Sequence, residues 1–412
     1  MMFCWLPLSA FGHVKNIQFT VTTGTYAFVN MPVSFDISKL PITSLEGYNL
    51  YEITNDGQTR IAFQYEAGFT PRIWFIIKGK FAENSSKHFI LKHTGKGIQD
   101  PYISIHDDRR SLTLMHKSDT ILSYQYAITY PPEGIDSLYQ RSGFIHPLWS
   151  PEQQILTRIQ PPDHYHHYGI WNPWTKTLYN GKEIDFWNLI KGEGTVKFRG
   201  IVSNVEGPVF GQIKVLQDHV AFLIDSTEQT ILHELWDIRT WLLNQSNKVW
   251  LIDFTSILNC ATEKEVLLAA YRYGGGIGFR ALERWTKDNC IVLTSEGKNR
   301  HQADGTLARW CIVSGDTKSK SGTSGILFMS HKLNRQHPEP MRVWPLDANN
   351  GRGDMYFEFC PTRHKDWSLK PGKKYVLQYR MLVFDQEISS DEAELYWNSF
   401  VYSPEIKITD CE

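Results

Sequence analysis

The densest chemistry in the chain lies between residues 144 and 174. Phe144-Ile-His146-Pro-Leu-Trp149-Ser-Pro is followed by Pro161-Pro-Asp163-His164-Tyr-His166-His167-Tyr-Gly169-Ile-Trp171-Asn-Pro-Trp174. Four of the 15 histidines therefore crowd into one short stretch. If that stretch is extended, His164 and His166 share one face, with Tyr165 and His167 on the other. Asp163 beside the pair could orient an imidazole, fix its tautomer and raise its basicity. Three roles stay open: acid–base catalysis with substrate contact, ligation of a divalent metal by His164 and His166, and loop hydrogen bonding at a strand end. A metal would need further ligands from elsewhere in the chain.

Other segments offer supporting groups. Asp185-Phe-Trp187 precedes a Gly192-Glu-Gly194 turn. Trp171, Trp174 and Trp187 could wall the apolar face of a sugar ring, or simply fill core. In His233-Glu234-Leu-Trp236 the alternation sets Glu234 beside an indole. Glu234 could there be a general acid, or an exposed strand residue. Tyr271-Arg272-Tyr-Gly-Gly-Gly-Ile-Gly-Phe-Arg280 is Gly-rich, but no strand–helix–strand context supports a dinucleotide site. Its glycines would let a loop approach a ligand closely, while Arg272 and Arg280 could fork onto a carboxylate or vicinal hydroxyls. His331 and Asn334 follow the strand-like run 325–330. Gly351-Arg-Gly-Asp354 reads as a tight turn. No nucleophile elbow, phosphate loop or HExxH motif is present, and no local carboxylate pair stands out.

The elements that must position these groups are strands. Short runs rich in β-branched and aromatic residues, such as 18–22, 73–77, 195–201, 249–258 and 375–384, recur between turn residues. That spacing predicts an all-β chain of sandwiches. One helix is predicted near the C-terminus. Ser389-Ser-Asp-Glu392 makes a capping box, and Ala393, Tyr396, Trp397 and Phe400 follow at helical spacing. The expected layout is a leader over 1–12, a small sandwich over 13–117, a larger β domain over 118–402 and a tail over 403–412.

Composition narrows the function classes. With 43 Lys+Arg against 44 Asp+Glu, the charge balance excludes the basic surplus of a nucleic-acid binder. No run reaches the roughly 18–20 apolar residues of a spanning helix. The 14 Trp, 19 Tyr and 22 Phe fit a β-rich protein with sugar binding as one use of its rings. Six cysteines without a CxxC pair exclude a zinc knuckle and read mainly as buried thiols, with one disulfide among Cys260, Cys290, Cys311 and Cys360 as the alternative. Residues 1–12 are apolar and end in Ala10-Phe-Gly12, a small-x-small pattern. They read as a shortened export signal, placing the protein in the periplasm or outside the cell.

The ordered series Ser142–Pro151, Asp163–Trp171, Asp185–Trp187, Tyr273–Arg280 and Ser330–Pro338 resembles the DUF6807 family, which also carries the label "methane oxygenase PmoA". The likeness runs from about residue 118 to 402, with the His-x-His-His-x-Gly-Ile-Trp segment its most specific part. Tyr165, Tyr168 and Lys332 depart from the usual residues of that pattern. A methane monooxygenase subunit needs membrane helices, so the label implies no such activity here. Members resemble exported proteins of polysaccharide degraders and are similar to the galactose-mutarotase-like supersandwich. The resemblance thus implies a carbohydrate-active enzyme: a hydrolase, lyase or epimerase. His146, Asp163, His164, His166, His167 and Glu234 would handle protons, while Arg272, Arg280, His331 and Asn334 bind substrate. No cofactor is expected, and a divalent metal stays open. The alternatives are a glycan-binding module without catalysis and a structural sandwich.

Overall fold

The computed structural model describes residues 16–411 apart from 39, 41, 43, 97–99, 101, 226 and 244–248. The expected leader over 1–12 lies outside the described residues. As expected, the chain is all-β, with antiparallel sheets and one short C-terminal helix. Its described residues form two compact units, one from 16–100 with 402–411 and one from 101–401.

In the first unit the burial of Asn16–Thr22 alternates strictly, putting Ile17, Phe19 and Val21 inside. This strand sits in a five-stranded sheet beside Ser86–His93, while Phe28–Asp36, Arg72–Phe81 and Phe63–Glu66 form a three-stranded one. Phe19 joins the two sheets by packing on Phe35 and Phe75, at 4.9 and 5.8 Å between ring centres. Each such phenylalanine contributes about 1.5–3 kcal/mol by leaving water. The expected tail is instead a strand, Glu405–Cys411, paired antiparallel with Asn16–Thr22.

The second unit begins at residue 101, not 118, because Ile103–Asp107 and Ser111–His116 are hydrogen-bonded into its sheet through Asp119–Gln125. A nine-stranded and an eight-stranded sheet enclose its core. Along the nine-stranded sheet Ile170, Phe279 and Phe357 stand in register. They face the other sheet, where Phe328 meets Phe279 and Phe357 at 5.3 and 4.7 Å. Residues one position along, namely Trp171, Arg280, Tyr356 and Glu358, therefore point to the opposite face. That outer face carries the histidine segment.

The helix Ser390–Val401 opens with the predicted box: Glu392 N–H donates to Ser389 Oγ (3.2 Å), and Ser389 N–H donates to Glu392 Oε2 (3.1 Å). Trp397 anchors it by donating to the Ser330 carbonyl at 3.0 Å. Cys260, Cys290, Cys311 and Cys360 are buried free thiols. Among the described residues no helix is long and apolar enough to cross a membrane.

Candidate functional site

The segment 161–168 is not a strand. Two successive turns shape it, closed by His164 N–H to the Pro161 carbonyl (2.9 Å) and His167 N–H to the His164 carbonyl (3.0 Å). The expected split of His164 and His166 from His167 therefore fails. The turns gather all three imidazoles, with ring centres 4.7–5.3 Å apart. One ring nitrogen from each lies within 4.8 Å of the other two. Tyr165 points away onto Tyr139. Gly169 leads the chain back into the sheet at φ +66°, where a Cβ would sit 2.3 Å from the Ile145 carbonyl oxygen. Only glycine fits that turn.

Asp163 ties the turn to the sheet. Its Oδ2 accepts from Nδ1 of His164 at 3.0 Å, and both carboxylate oxygens accept from Nη2 of Arg280. The same Nη2 donates to Asp354 Oδ2 at 2.7 Å, and the guanidinium lies over the Trp344 ring. Arg280 Nη1 is buried without a hydrogen-bond partner. Burial alone would raise the Asp163 acid, but the His164 hydrogen bond and the Arg280 charge outweigh it and hold it down at about 2. Burial drives His166 down to about 3 and His167 well below the usual imidazole range, so both rings are neutral at physiological pH.

Aromatic rings enclose the cluster. Trp187 packs on His166 and His167 (5.4 and 5.5 Å), Trp344 on His164 and His167 (4.8 and 5.4 Å), and Tyr356 on His167 (5.2 Å). Asp185 shapes the Trp187 loop by accepting from the backbone N–H of Trp187 and Asn188, and Lys191 pairs with it at 2.9 Å. His167 is fully buried and neither of its ring nitrogens has a hydrogen-bond partner. A nitrogen left in that state costs about 1–3 kcal/mol. His164 remains the opening, its side chain 35% exposed. Among the described residues this trio is the group of His, Cys and acidic side chains whose candidate ligand atoms lie close enough together to share an ion.

Several expected members lie elsewhere. Trp171 joins the cluster, but Trp174 packs against Gly275 and Trp367. The glycine run is used for that close packing, and Gly274 N–H donates to Glu358 Oε1 at 3.0 Å. Trp171, Trp174 and Trp187 are 0, 1 and 3% exposed, so none offers an open face for a sugar to stack on. His146 sits in the adjoining strand with Nδ1 2.9 Å from Thr157 Oγ1, and burial lowers it to about 4. Exposed Arg272 lies over Tyr273, whose ring meets Trp187 at 4.6 Å.

Glu234 does not join the histidines. It points into the sandwich interior, where Asn172 Nδ2 and Ser256 Oγ donate to its Oε1 and His219 Nε2 donates to its Oε2 at 2.8 Å. His331 and Asn334 stand in a third region. Asn334 Nδ2 donates to the Gln378 carbonyl and to buried Glu339, and the His331 ring meets Phe400 of the helix. Sequence reasoning missed Asp354, Trp344, Tyr356 and Tyr273. Alternation along 354–358 was the available signal, since Tyr356 stands opposite Arg280.

None of the curated proteins compared with the chain matches it. A family model matches residues 111–398, and with most of its length covered the chain belongs to DUF6807, a family of unknown function.

Proposed function

We propose that the protein is a carbohydrate-active enzyme whose reaction takes place at the Asp163–His164–His166–His167–Arg280 cluster. One observation carries it: three imidazoles, a carboxylate-held His164 and an Arg280 with an unpartnered Nη1 converge on the outer face of the nine-stranded sheet. Imidazole and guanidinium groups so placed can contact the hydroxyl, ring or glycosidic oxygens of a sugar derivative and move a proton between them. The reaction class is proton transfer at a sugar carbon or glycosidic oxygen, which covers hydrolysis, β-elimination and epimerisation. A module that binds glycans without turnover is the weaker reading, because its aromatic platforms would have to be exposed. An export signal over residues 1–12 would place the activity in the periplasm or outside the cell. Incubation with a panel of oligosaccharides and their oxidised derivatives, followed by mass spectrometry, tests the reading. Turnover that falls by about 100-fold or more in His164→Ala supports it. Binding of a panel member with no turnover by wild type overturns it.

A further inference from the structure

We propose that His164, His166 and His167 together hold one divalent metal ion of the imidazole-preferring class, for which Zn²⁺ is the reference, with Asp163 setting the geometry of His164. The reading above supplies only the substrate class; the ion-binding argument stands on the three side chains.

Distance comes first. An ion bound tetrahedrally at about 2.0–2.1 Å from each nitrogen would hold those nitrogens roughly 3.3 Å apart. The three atoms already lie within 4.8 Å of one another. The remaining difference, about 1.5 Å at most, is within reach of small rotations about the side-chain torsions.

His167 is the second, independent observation. Its ring is wholly buried, and neither nitrogen meets a donor or an acceptor. A buried neutral imidazole ordinarily donates from one nitrogen and accepts at the other. Packing against Trp187, Tyr356 and Trp344 satisfies its faces but leaves its edge without partners. A cation shared with His164 and His166 would take the lone pair that no protein group meets.

The surroundings agree in kind. Nδ1 of His164 donates to Asp163, which leaves Nε2 with its lone pair, the arrangement found around ligating histidines. Asp163 is itself fixed by Arg280, whose charge is offset by Asp354. Three nitrogen donors without thiolate or carboxylate suit Zn²⁺, Cu²⁺, Ni²⁺ or Fe²⁺ rather than Mg²⁺ or Ca²⁺. Three protein ligands also leave a coordination position for a substrate oxygen, as catalytic sites do and structural ones do not.

The test uses the full chain, stripped with a chelator, dialysed, and titrated separately with Zn²⁺ by calorimetry and Co²⁺ by visible absorption. One equivalent of each ion should bind, Zn²⁺ with a Kd of about 1 µM or tighter. His164→Ala, which alters a partly exposed side chain and so should keep the fold, should weaken binding by about 100-fold or more. Asp163→Asn should weaken it by about 10–100-fold, and His301→Ala, an exposed imidazole elsewhere, should leave it unchanged. Circular dichroism of each variant confirms that it is folded. The proposal falls if folded wild type shows no saturable binding of either ion, or if His164→Ala binds as tightly as wild type. Sugar turnover by folded wild type that shows no saturable binding of either ion would sink it while sparing the enzyme reading. Stoichiometric binding without turnover would do the reverse.

Discussion

Asp163 accepts a hydrogen bond from the imidazole of its own neighbour, His164, over 3.0 Å. Through Arg280 the same carboxylate is joined to Asp354, so a surface turn is bound to the strand Ile277–Arg280 beneath it. One guanidinium therefore links the histidine turn to the sheet.

Arg280→Met should expose that link. Methionine fills a similar space but leaves the Asp163 carboxylate, 12% exposed, without its guanidinium, while Asp354 keeps Arg352 at 3.0 Å and Arg158 at 3.9 Å. Removing one partner from a buried ion pair costs about 3–5 kcal/mol. Urea denaturation should register a loss in that range. A change under about 1 kcal/mol would show that Arg280 is not what holds the turn.

Gly169→Ala should be as damaging from the backbone side. The position has φ +66°, and the added Cβ would lie 2.3 Å from a carbonyl oxygen. A cost above about 2 kcal/mol is expected in chemical denaturation. The ¹⁵N resonances of His164, His166 and His167 should shift together, since they share the turn that Gly169 closes.

Glu234 is expected to behave as a structural carboxylate. Glu234→Ala strands the donors of Asn172, Ser256 and His219 in the sandwich interior. Each unsatisfied group costs about 1–3 kcal/mol, so unfolding should reveal a total of roughly 3–9 kcal/mol. Glu234→Gln, which keeps an acceptor, should lose less than Glu234→Ala. Equal melting temperatures for wild type and Glu234→Ala would contradict the network.

The pH dependence of stability should carry a signature of Glu339. Burial raises this acid to about 7, against the hydrogen bonds from Ser330, Tyr379 and Asn334 that pull it down. A folded-state pKa above the unfolded one means that its contribution is fully present below about pH 4.5 and lost as pH rises towards 7. The difference is on the order of 3 kcal/mol. Denaturation midpoints of wild type relative to Glu339→Gln should fall across that window, and parallel curves would refute the assignment.

Much of the fold could be read from the chain because its causes are local. Runs of β-branched and aromatic residues over 18–22 and 249–258 announced strands, and Ser389 with Glu392 announced the helix start. The histidine segment was visible for its composition, but its shape was not. The residues 161–168 look strand-like in isolation, whereas hydrogen bonds from His164 and His167 fold them into turns. Asp354 and Tyr356 reach the cluster only through the pairing of Tyr356–Phe359 with Ile277–Arg280, a register set by contacts some 76 residues apart in sequence. Glu234 was misplaced for the same reason. Its face of the strand was correct, but which sheet face the histidines would occupy depended on strands not yet aligned.

The pairing of Glu405–Cys411 with Asn16–Thr22 has a consequence for synthesis. Residues 101–401 are continuous and can fold as soon as they emerge, but the first unit stays one strand short until Glu405–Cys411 have also emerged. Throughout that interval the edge of Asn16–Thr22 is an open template for another chain. Truncation at residue 401 would make that interval permanent.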